Sequence, residues 1–329
     1  MARESVDVKV TVVGCGRWGS LIAWYLDRID RGIEVTLYGR PESKRMQAFL
    51  QTRKNDLLDL PESISLSTDH SCVKDADVVI ISIASQGLDS LMEQLCRYEL
   101  ENKIFVLCMK GIEANSGRRL SEIAEGYLPD SCKVAIWVGP GHVQEFYSGI
   151  PNCMVIDSSD EQVKKLLVDS FSSNLIRFYY GADMIGNEIG AATKNVIGIA
   201  AGMLDGAGLS TLKGGLMSRG TREVGRLIAA MGGNEMSVYG LSHLGDYEAT
   251  VFSQFSHNRR FGEAFIKGES YDELAEGYHT VRAVMLLKEK HKVDMPICEA
   301  VYSILYENAD PMETLGKLFE RRTKDEFYK

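Results

Sequence analysis

Residues 8–27 read VKVTVVGCGRWGSLIAWYLD. The run opens with β-branched residues, passes through three glycines, and continues with Leu21, Ile22, Tyr25 and Leu26 at helical spacing. It therefore divides into strand, tight turn and helix. Gly14, Gly16 and Gly19 stand at the turn in the pattern G-x-G-x-x-G. One such glycine permits the sharp bend, one lets backbone approach a pyrophosphate, and one packs helix on strand. A phosphate there meets the positive end of the helix. A purely structural glycine turn is the competing reading. The strand before and the helix after favour a dinucleotide loop made of Gly14, Gly16, Arg17, Trp18 and Gly19.

Outward from this unit, the next apolar strand, Ile33–Tyr38, runs into Gly39 and Arg40. An acidic residue at that end would hydrogen-bond the adenosine ribose of NAD, but Glu34 comes too early and Arg40 occupies the place. A guanidinium there can pair with a 2′-phosphate, which favours NADP or loose selectivity between NADP and NAD, unless Arg40 is simply a solvated loop residue. Buried strands follow at 78–83, 104–109 and 134–138, separated by segments of helical period. This alternation gives an α/β fold, a Rossmann-like doubly wound sheet that is mainly parallel. Past residue 182 helical patterns take over, at 183–206, 212–232, 271–292 and 296–307. The boundary falls near Gly181, with a dinucleotide-binding domain over 1–181 and an all-helical substrate and catalytic domain over 182–329.

Composition narrows the function classes. A chain of 329 residues is longer than a single core usually organises. A net charge of −9 and a pI near 5.3 argue against a nucleic-acid surface, yet leave room for a local basic pocket that takes a small anion. The seven cysteines are scattered and include no C-x-x-C pair, as expected of reduced thiols in a cytoplasmic protein. The histidines have no metal-ligand spacing, so no metal is expected. No basic leader with an apolar segment precedes the first strand, and no charge-free apolar run reaches the ~18 residues of a membrane span. Helical second domains often form dimer faces, so a homodimer is expected.

Candidate chemistry gathers at strand ends and in one helix. Lys110-Gly111 follows the strand at 104–109, and Gly139-Pro140-Gly141-His142 follows the next; ligands of open α/β sheets collect at such carboxyl ends. Each is also compatible with a plain turn. Residues 188–202 read EIGAATKNVIGIAAG, where Lys194 and Asn195 interrupt a small-residue surface built for close approach. Burying an ammonium costs several kcal/mol unless it is paired or deprotonated. Such a lysine is shifted toward neutrality, where it gives and takes protons. The alternative is a lysine that snorkels to water at the helix edge.

GCGRWGS, KGIE, the GPGH turn, EIGAATKNVIGIAAG, GLSHLGDYEAT, SHNRRFG, EGYHT and DMPI occur in the order expected of the NAD(P)-dependent glycerol-3-phosphate dehydrogenases, and the chain resembles their bacterial branch from Val10 to about Glu307. The resemblance implies hydride transfer between NADPH or NADH and dihydroxyacetone phosphate, giving sn-glycerol 3-phosphate for phospholipid synthesis. It implies that Lys194 is the proton donor and acceptor, that Lys110 holds substrate charge beside the nicotinamide, and that Asp246 orients the lysines. It further implies substrate contacts from Gly139, Asn195, Thr250, Ser256, His257 and Asn258, and a cofactor-side contact from Glu276.

The chain departs from the family pattern twice. His257 stands where an arginine is usual between Ser256 and Asn258, so a protonated His257, or Arg259 or Arg260, has to serve the substrate phosphate. Gly141 stands where Ser or Thr is usual. Two-domain β-hydroxyacid dehydrogenases and ketopantoate reductases share the build, and a catalytically silent dinucleotide sensor would share it too. GDYEAT and SHNRRFG distinguish the glycerol-3-phosphate enzymes from the former, and the retained Lys110, Lys194, Asn195 and Asp246 argue against the latter.

Overall fold

The computed structural model describes residues 8–29, 31–323 and 325–326. Its first part runs β1 (Val8–Val13), α1 (Arg17–Arg28), β2 (Ile33–Tyr38), α2 (Lys44–Thr52), β3 (Ser65–Ser67), β4 (Val78–Ile81), α3 (Leu88–Leu95), β5 (Ile104–Leu107), α4 (Leu120–Glu125), β6 (Lys133–Val138), α5 (Val143–Tyr147), β7 (Asn152–Ser158), α6 (Glu161–Phe171) and β8 (Ile176–Tyr180). The strands form one sheet in the order β3-β2-β1-β4-β5-β6-β7-β8. Strand order reverses between β1 and β4, both parallel, which opens a crevice at their carboxyl ends.

Side chains that alternate along a strand face opposite sides of the sheet, and the core follows that rule. Val10, Val12, Val78, Ile80 and Val106 pack with Leu21, Ile22 and Tyr25 of α1 and with Leu167 and Phe171 of α6. Their neighbours Val13, Val79, Ile81, Phe105 and Leu107 pack on the other face with Leu88 and Met92 of α3 and Ile123 of α4. With both faces covered, β1, β4 and β5 read as continuous apolar runs. The reading of a mainly parallel sheet holds, with one exception: β7 pairs antiparallel with β6, and β8 runs parallel to β7. The last two strands therefore run against the rest.

After β8 the chain is helical, with α7 (Met184–Gly206), α8 (Lys213–Ala230), α9 (His257–Lys267), α10 (Glu276–His291), α11 (Pro296–Tyr306) and α12 (Pro311–Phe319). The expected segment 271–292 starts late, because 271–275 form the loop that leads into α10. Helices α9 and α12 were not anticipated; α9 fully buries only Gly262 and Ala264, while Phe261 and Ile266 pack partly buried against the helical core. Among the described residues no helix is long and apolar enough to cross a membrane.

Helix α7 is the axis of this part, buried from Gly186 through Met203. Each glycine in a helix costs about 0.5–1 kcal/mol relative to alanine, and close packing offsets that cost. A Cβ at Gly202 would lie 1.9 Å from the carbonyl oxygen of Arg259 on α9. A Cβ at Gly277 on α10 would lie 2.6 Å from the carbonyl oxygen of Asn195. Helices α9 and α10 thus reach the α7 backbone itself, close to the turn that carries Lys194.

Glu188 fastens α7 to the sheet-bearing part. Its carboxylate accepts from Arg119 Nη1 at 2.6 Å, from the Ser121 backbone at 2.9 Å and from Ser121 Oγ at 2.6 Å, all at the start of α4. Removing one partner of a buried pair leaves the other charge uncompensated. Glu188→Ala is expected to lower unfolding stability by roughly 3–5 kcal/mol in a urea titration; a loss under about 1 kcal/mol would show that the pair behaves as a surface ion pair.

Candidate active site

The glycine turn divides its labour among three positions. Gly14 has φ +117°, and a Cβ on it would lie 2.1 Å from the Ser82 carbonyl oxygen, so only glycine fits where β1 meets the turn after β4. A Cβ at Gly19 would lie 1.9 Å from the carbonyl oxygen of Gly14, which sets how closely α1 packs on β1. Gly16, by contrast, has nothing within 4 Å of that position. The open cradle lies at the amino end of α1, beside Arg17, where unpaired N–H groups and the helix dipole favour a pyrophosphate. Trp18 packs on Phe146 at 5.9 Å and backs the loop. Arg40 projects into solvent past the end of β2, 74% exposed and 3.4 Å from Glu42, so its guanidinium is available to a ligand on that side.

Further along the same edge, β4 ends at Ile81 and Ser85 follows. Glu276, first residue of α10, accepts from the Ser85 backbone N–H at 2.9 Å and from its hydroxyl. Gln86 beside it donates to the Ile112 carbonyl at 2.9 Å and accepts from the Ala114 backbone at 2.9 Å. Sequence reasoning placed Glu276 on the cofactor side but missed Ser85 and Gln86. The signal was their position: they follow the carboxyl end of a central strand, and the strand is two residues shorter than the apolar run implied.

The candidate catalytic residues gather where β5 and β6 end. Lys110 follows β5, Gly139 follows β6, Lys194 and Asn195 come from α7, and Asp246 and Thr250 come from the turns before α9. One oxygen of Asp246 serves both lysines, 2.7 Å from Lys110 Nζ and 2.8 Å from Lys194 Nζ. Lys110 also donates to the Gly139 carbonyl at 2.6 Å, and Lys194 to Thr250 Oγ1 at 2.7 Å. The Thr250 hydroxyl donates in turn to the Asp246 carbonyl at 2.7 Å. Asn195 donates to the Lys110 carbonyl at 3.0 Å, fixing the strand end against α7. The segment Glu248–Phe252 winds as a π turn, and this carries Thr250 over the lysine.

Lys194 does not snorkel. It is 5% exposed, and its ammonium turns inward to Asp246 and Thr250. Burial pulls its pKa down from 10.5 to about 8; Asp246 opposes that shift and the Lys110 charge adds to it. Two ammoniums against one carboxylate leave a net positive charge. An ammonium has three donors, and the partners just named take two from each lysine, so each keeps a donor for an incoming oxygen.

The amino end of α9 closes the site. Ser256 caps the helix, its hydroxyl accepting from the Arg259 backbone at 3.3 Å. Asn258 accepts from the Gly277 backbone at 2.9 Å, which leaves its amide N–H groups for another partner. His257 Nδ1 lies 2.8 Å from the Tyr271 hydroxyl. Burial and then the Arg17 charge push the His257 pKa below its ordinary value, which works against the protonated form. Arg259 is held by Asp205 at 2.7 Å and Glu263 at 3.2 Å, while Arg260 lies over the Tyr271 ring at 5.4 Å. Gly141 has φ +138°, and a Cβ there would lie 2.2 Å from the Phe146 ring, so the departure from Ser or Thr is tied to Phe146. His142 next to it meets Phe255 edge-on at 5.5 Å, bringing the GPGH turn against the approach to α9. A cavity of about 570 Å³ lies elsewhere, among α7, α8, α11 and α12, and none of these residues lines it.

A family profile described as NAD-dependent glycerol-3-phosphate dehydrogenase N-terminus matches residues 9–164, and one for the C-terminus of the same enzymes matches residues 183–316. The chain belongs to this family. A glycerol-3-phosphate dehydrogenase [NAD(P)+] of Thermoanaerobacter sp. (strain X514) is 33% identical over 98% of this chain and 99% of the relative. One from Prosthecochloris aestuarii is 36% identical over 96% and 99%. The crystal structure of glycerol-3-phosphate dehydrogenase from Coxiella burnetii superimposes with a TM-score of 0.87 at 27% identity, covering 96% of this chain and 99% of that one. Family membership thus spans both the glycine turn and the lysine cluster.

The shifted lysine gives a stability test. Unfolded, Lys194 titrates near 10.5, and in the fold near 8. Between these values the unfolded chain binds the extra proton, so stability rises with pH through that window by about 3 kcal/mol, and the cost of the buried ammonium is present in full below it. Lys194→Met, which leaves Asp246 paired with Lys110, is expected to be more stable than the native chain at pH 7, with the gap shrinking as pH climbs through 8 toward 10.5. A pH-independent gap in chemical denaturation would rule this out.

Proposed function

We propose that this member of the family is an NAD(P)-dependent sn-glycerol-3-phosphate dehydrogenase that reduces dihydroxyacetone phosphate to sn-glycerol 3-phosphate, with Lys194 as proton donor and acceptor. The observation that carries the reading is the sharing of one Asp246 oxygen by Lys110 and Lys194 at the edge where the glycine turn opens. The bound nicotinamide supplies or accepts a hydride at C2 of the substrate. In reduction the Lys194 ammonium protonates the C2 oxygen as that carbon takes the hydride; in oxidation the neutral amine receives the hydroxyl proton. A lysine with a pKa near 8 is matched to both directions. Lys110 adds fixed positive charge for the forming alkoxide. Gly139 holds Lys110, Thr250 and Asp246 hold Lys194, and Asn195 locks the two elements together.

The substrate phosphate is assigned to the amino end of α9, where Asn258 amide donors and the helix dipole favour an anion. Ser256 keeps that end in shape, and His257 faces Arg17, whose charge it feels. On the cofactor side, Gly14, Gly16, Arg17, Trp18 and Gly19 form the pyrophosphate loop, Lys110 lies beside the nicotinamide, and Glu276 positions Ser85. Arg40 reads the 2′-phosphate, so NADPH is preferred slightly over NADH. The division at residues 181 and 182 separates the dinucleotide-binding domain from the helical substrate and catalytic domain. The seven thiols are free, in keeping with a cytoplasmic enzyme, which we read as a homodimer that supplies glycerophospholipid synthesis.

The test is nicotinamide absorbance with dihydroxyacetone phosphate and either cofactor. Oxidation is expected with both, faster with NADPH; cofactor binding without turnover on any ketone phosphate would favour a sensor instead. Lys194→Ala is expected to abolish turnover with cofactor affinity near normal. Arg40→Asp is expected to move preference toward NADH, and an unchanged ratio would remove Arg40 from the 2′-phosphate.

A further inference from the structure

The turn that delivers Asp246 is tied to the helix that delivers Lys194 by a histidine the mechanism does not use. His243 is fully buried, three residues before Asp246. Its Nδ1 lies 2.8 Å from the carbonyl oxygen of Gly190 on α7. Gly190 is four residues before Lys194, so the same carbonyl is the helical acceptor for the Lys194 backbone N–H. The other ring nitrogen, Nε2, lies 2.7 Å from the hydroxyl of Tyr247, the residue after Asp246. A carbonyl only accepts, so Nδ1 carries the proton and Nε2 accepts from the tyrosine. The imidazole is thus a neutral spacer with both nitrogens satisfied. Burial agrees with that state, pushing its pKa down to about 4, and the nearby Lys194 charge pushes it the same way.

The surroundings allow little play. The His243 and Tyr247 rings meet edge to face at 4.8 Å. A Cβ at Gly190 would lie 3.1 Å from Cβ of His243, so the turn rests on bare helix backbone. Beyond the ring, the Tyr247 hydroxyl lies 3.3 Å from Thr221 on α8, and Tyr247 is 1% exposed among Ile197, Ala201 and Val251. The backbone between the two anchors is itself bonded, with Gly245 N–H donating to Gly240 at 3.0 Å and Asp246 N–H to His243 at 3.0 Å.

We propose that His243 and Tyr247 form a positioning clamp for the reaction: the imidazole bridges α7 one turn below Lys194 to the residue beside Asp246, and so sets the distance between the proton-transferring amine and its carboxylate. The proposal rests on Lys194 as the proton-transfer group. His243 and Tyr247 are 0% and 1% exposed, so they act through Lys194 and Asp246 as positioning residues. The charged and titratable groups facing Lys194 are Asp246, Lys110, His243 itself and, from the GPGH turn, His142, so loosening the clamp changes how Asp246 and water share the amine. Since burial is the main cause of the lowered Lys194 pKa, admitting water moves that pKa back toward 10.5.

The experiment uses the full chain with His243→Asn, whose amide still reaches the Gly190 carbonyl but not Tyr247, and Tyr247→Phe, which deletes only the hydroxyl. Two readouts are taken: the pH dependence of kcat with dihydroxyacetone phosphate, and the pH titration of the Lys194 ε-carbon by 13C NMR, which needs no turnover. Both variants are expected to fold, to bind cofactor normally and to keep KM within about twofold. Both are expected to show kcat lowered at least ~10-fold, toward the ~100-fold that a 1 Å misplacement costs, with the Lys194 midpoint moved above 8 in both readouts. A native midpoint in both variants, or a kcat loss that only tracks the folded fraction, overturns the clamp. If the native enzyme does not reduce dihydroxyacetone phosphate, the proposed reaction fails, and the NMR titration still decides whether the clamp sets the lysine.

Discussion

One buried carboxylate oxygen holds two ammonium groups, and most of the surrounding architecture serves that arrangement. Charges taken out of water are costly unless partners are placed well. Asp246 is placed by a bonded turn resting on α7, Lys194 by a helix hemmed in by α9 and α10, and Lys110 by the end of a central strand. Each element approaches from a different direction. The net positive charge that results suits an anionic visitor. A chain with net charge −9 keeps its cationic chemistry in a recess, where the field is felt by what enters and little elsewhere.

How much of this was legible in the sequence depends on whether a residue's role is local. The glycine turn was legible, because bend, cradle and close packing are properties of six residues with a strand before and a helix after. The parallel strands were legible, because burial on both faces leaves continuous apolar runs. The antiparallel pairing of β7 was not: direction is decided by where the chain re-enters the sheet, and the sequence NCMVIDS contains no trace of it. Helix α9 was hard to see for another reason, since it is short and fully buries only Gly262 and Ala264, with Phe261 and Ile266 half-buried.

In the site itself, the lysine on α7 announced itself by being charged in a small-residue run, yet the residues alone left open whether it was buried or snorkelling. Distances across 136 residues of sequence, such as Lys110 to Asp246, have no local signature. Their assembly came from a family resemblance, and the physical reason for it emerged only with the fold. His257 shows the limit of such transfer. The resemblance puts an arginine at this position, while here burial disfavours the charged ring, which is hydrogen-bonded to Tyr271, a partner that nothing in the local motif designates.

The reversed pair of strands has a consequence for how Lys194 is delivered. Because β8 runs against the central strands, the chain leaves the sheet at the edge opposite the reaction site and must climb back. Helix α7 makes that ascent, and Lys194 comes ten residues after its first residue, Met184. At ~1.5 Å per residue the climb is ~15 Å, close to the depth of a sheet whose strands rise ~3.3 Å per residue. The helix acts as a ruler whose graduations also rotate. Losing a single residue from it would lower the amine by ~1.5 Å and swing it through ~100°, out of reach of its carboxylate. Length and phase are therefore under joint constraint along this segment, so insertions and deletions are barred from it even where the individual side chains are interchangeable.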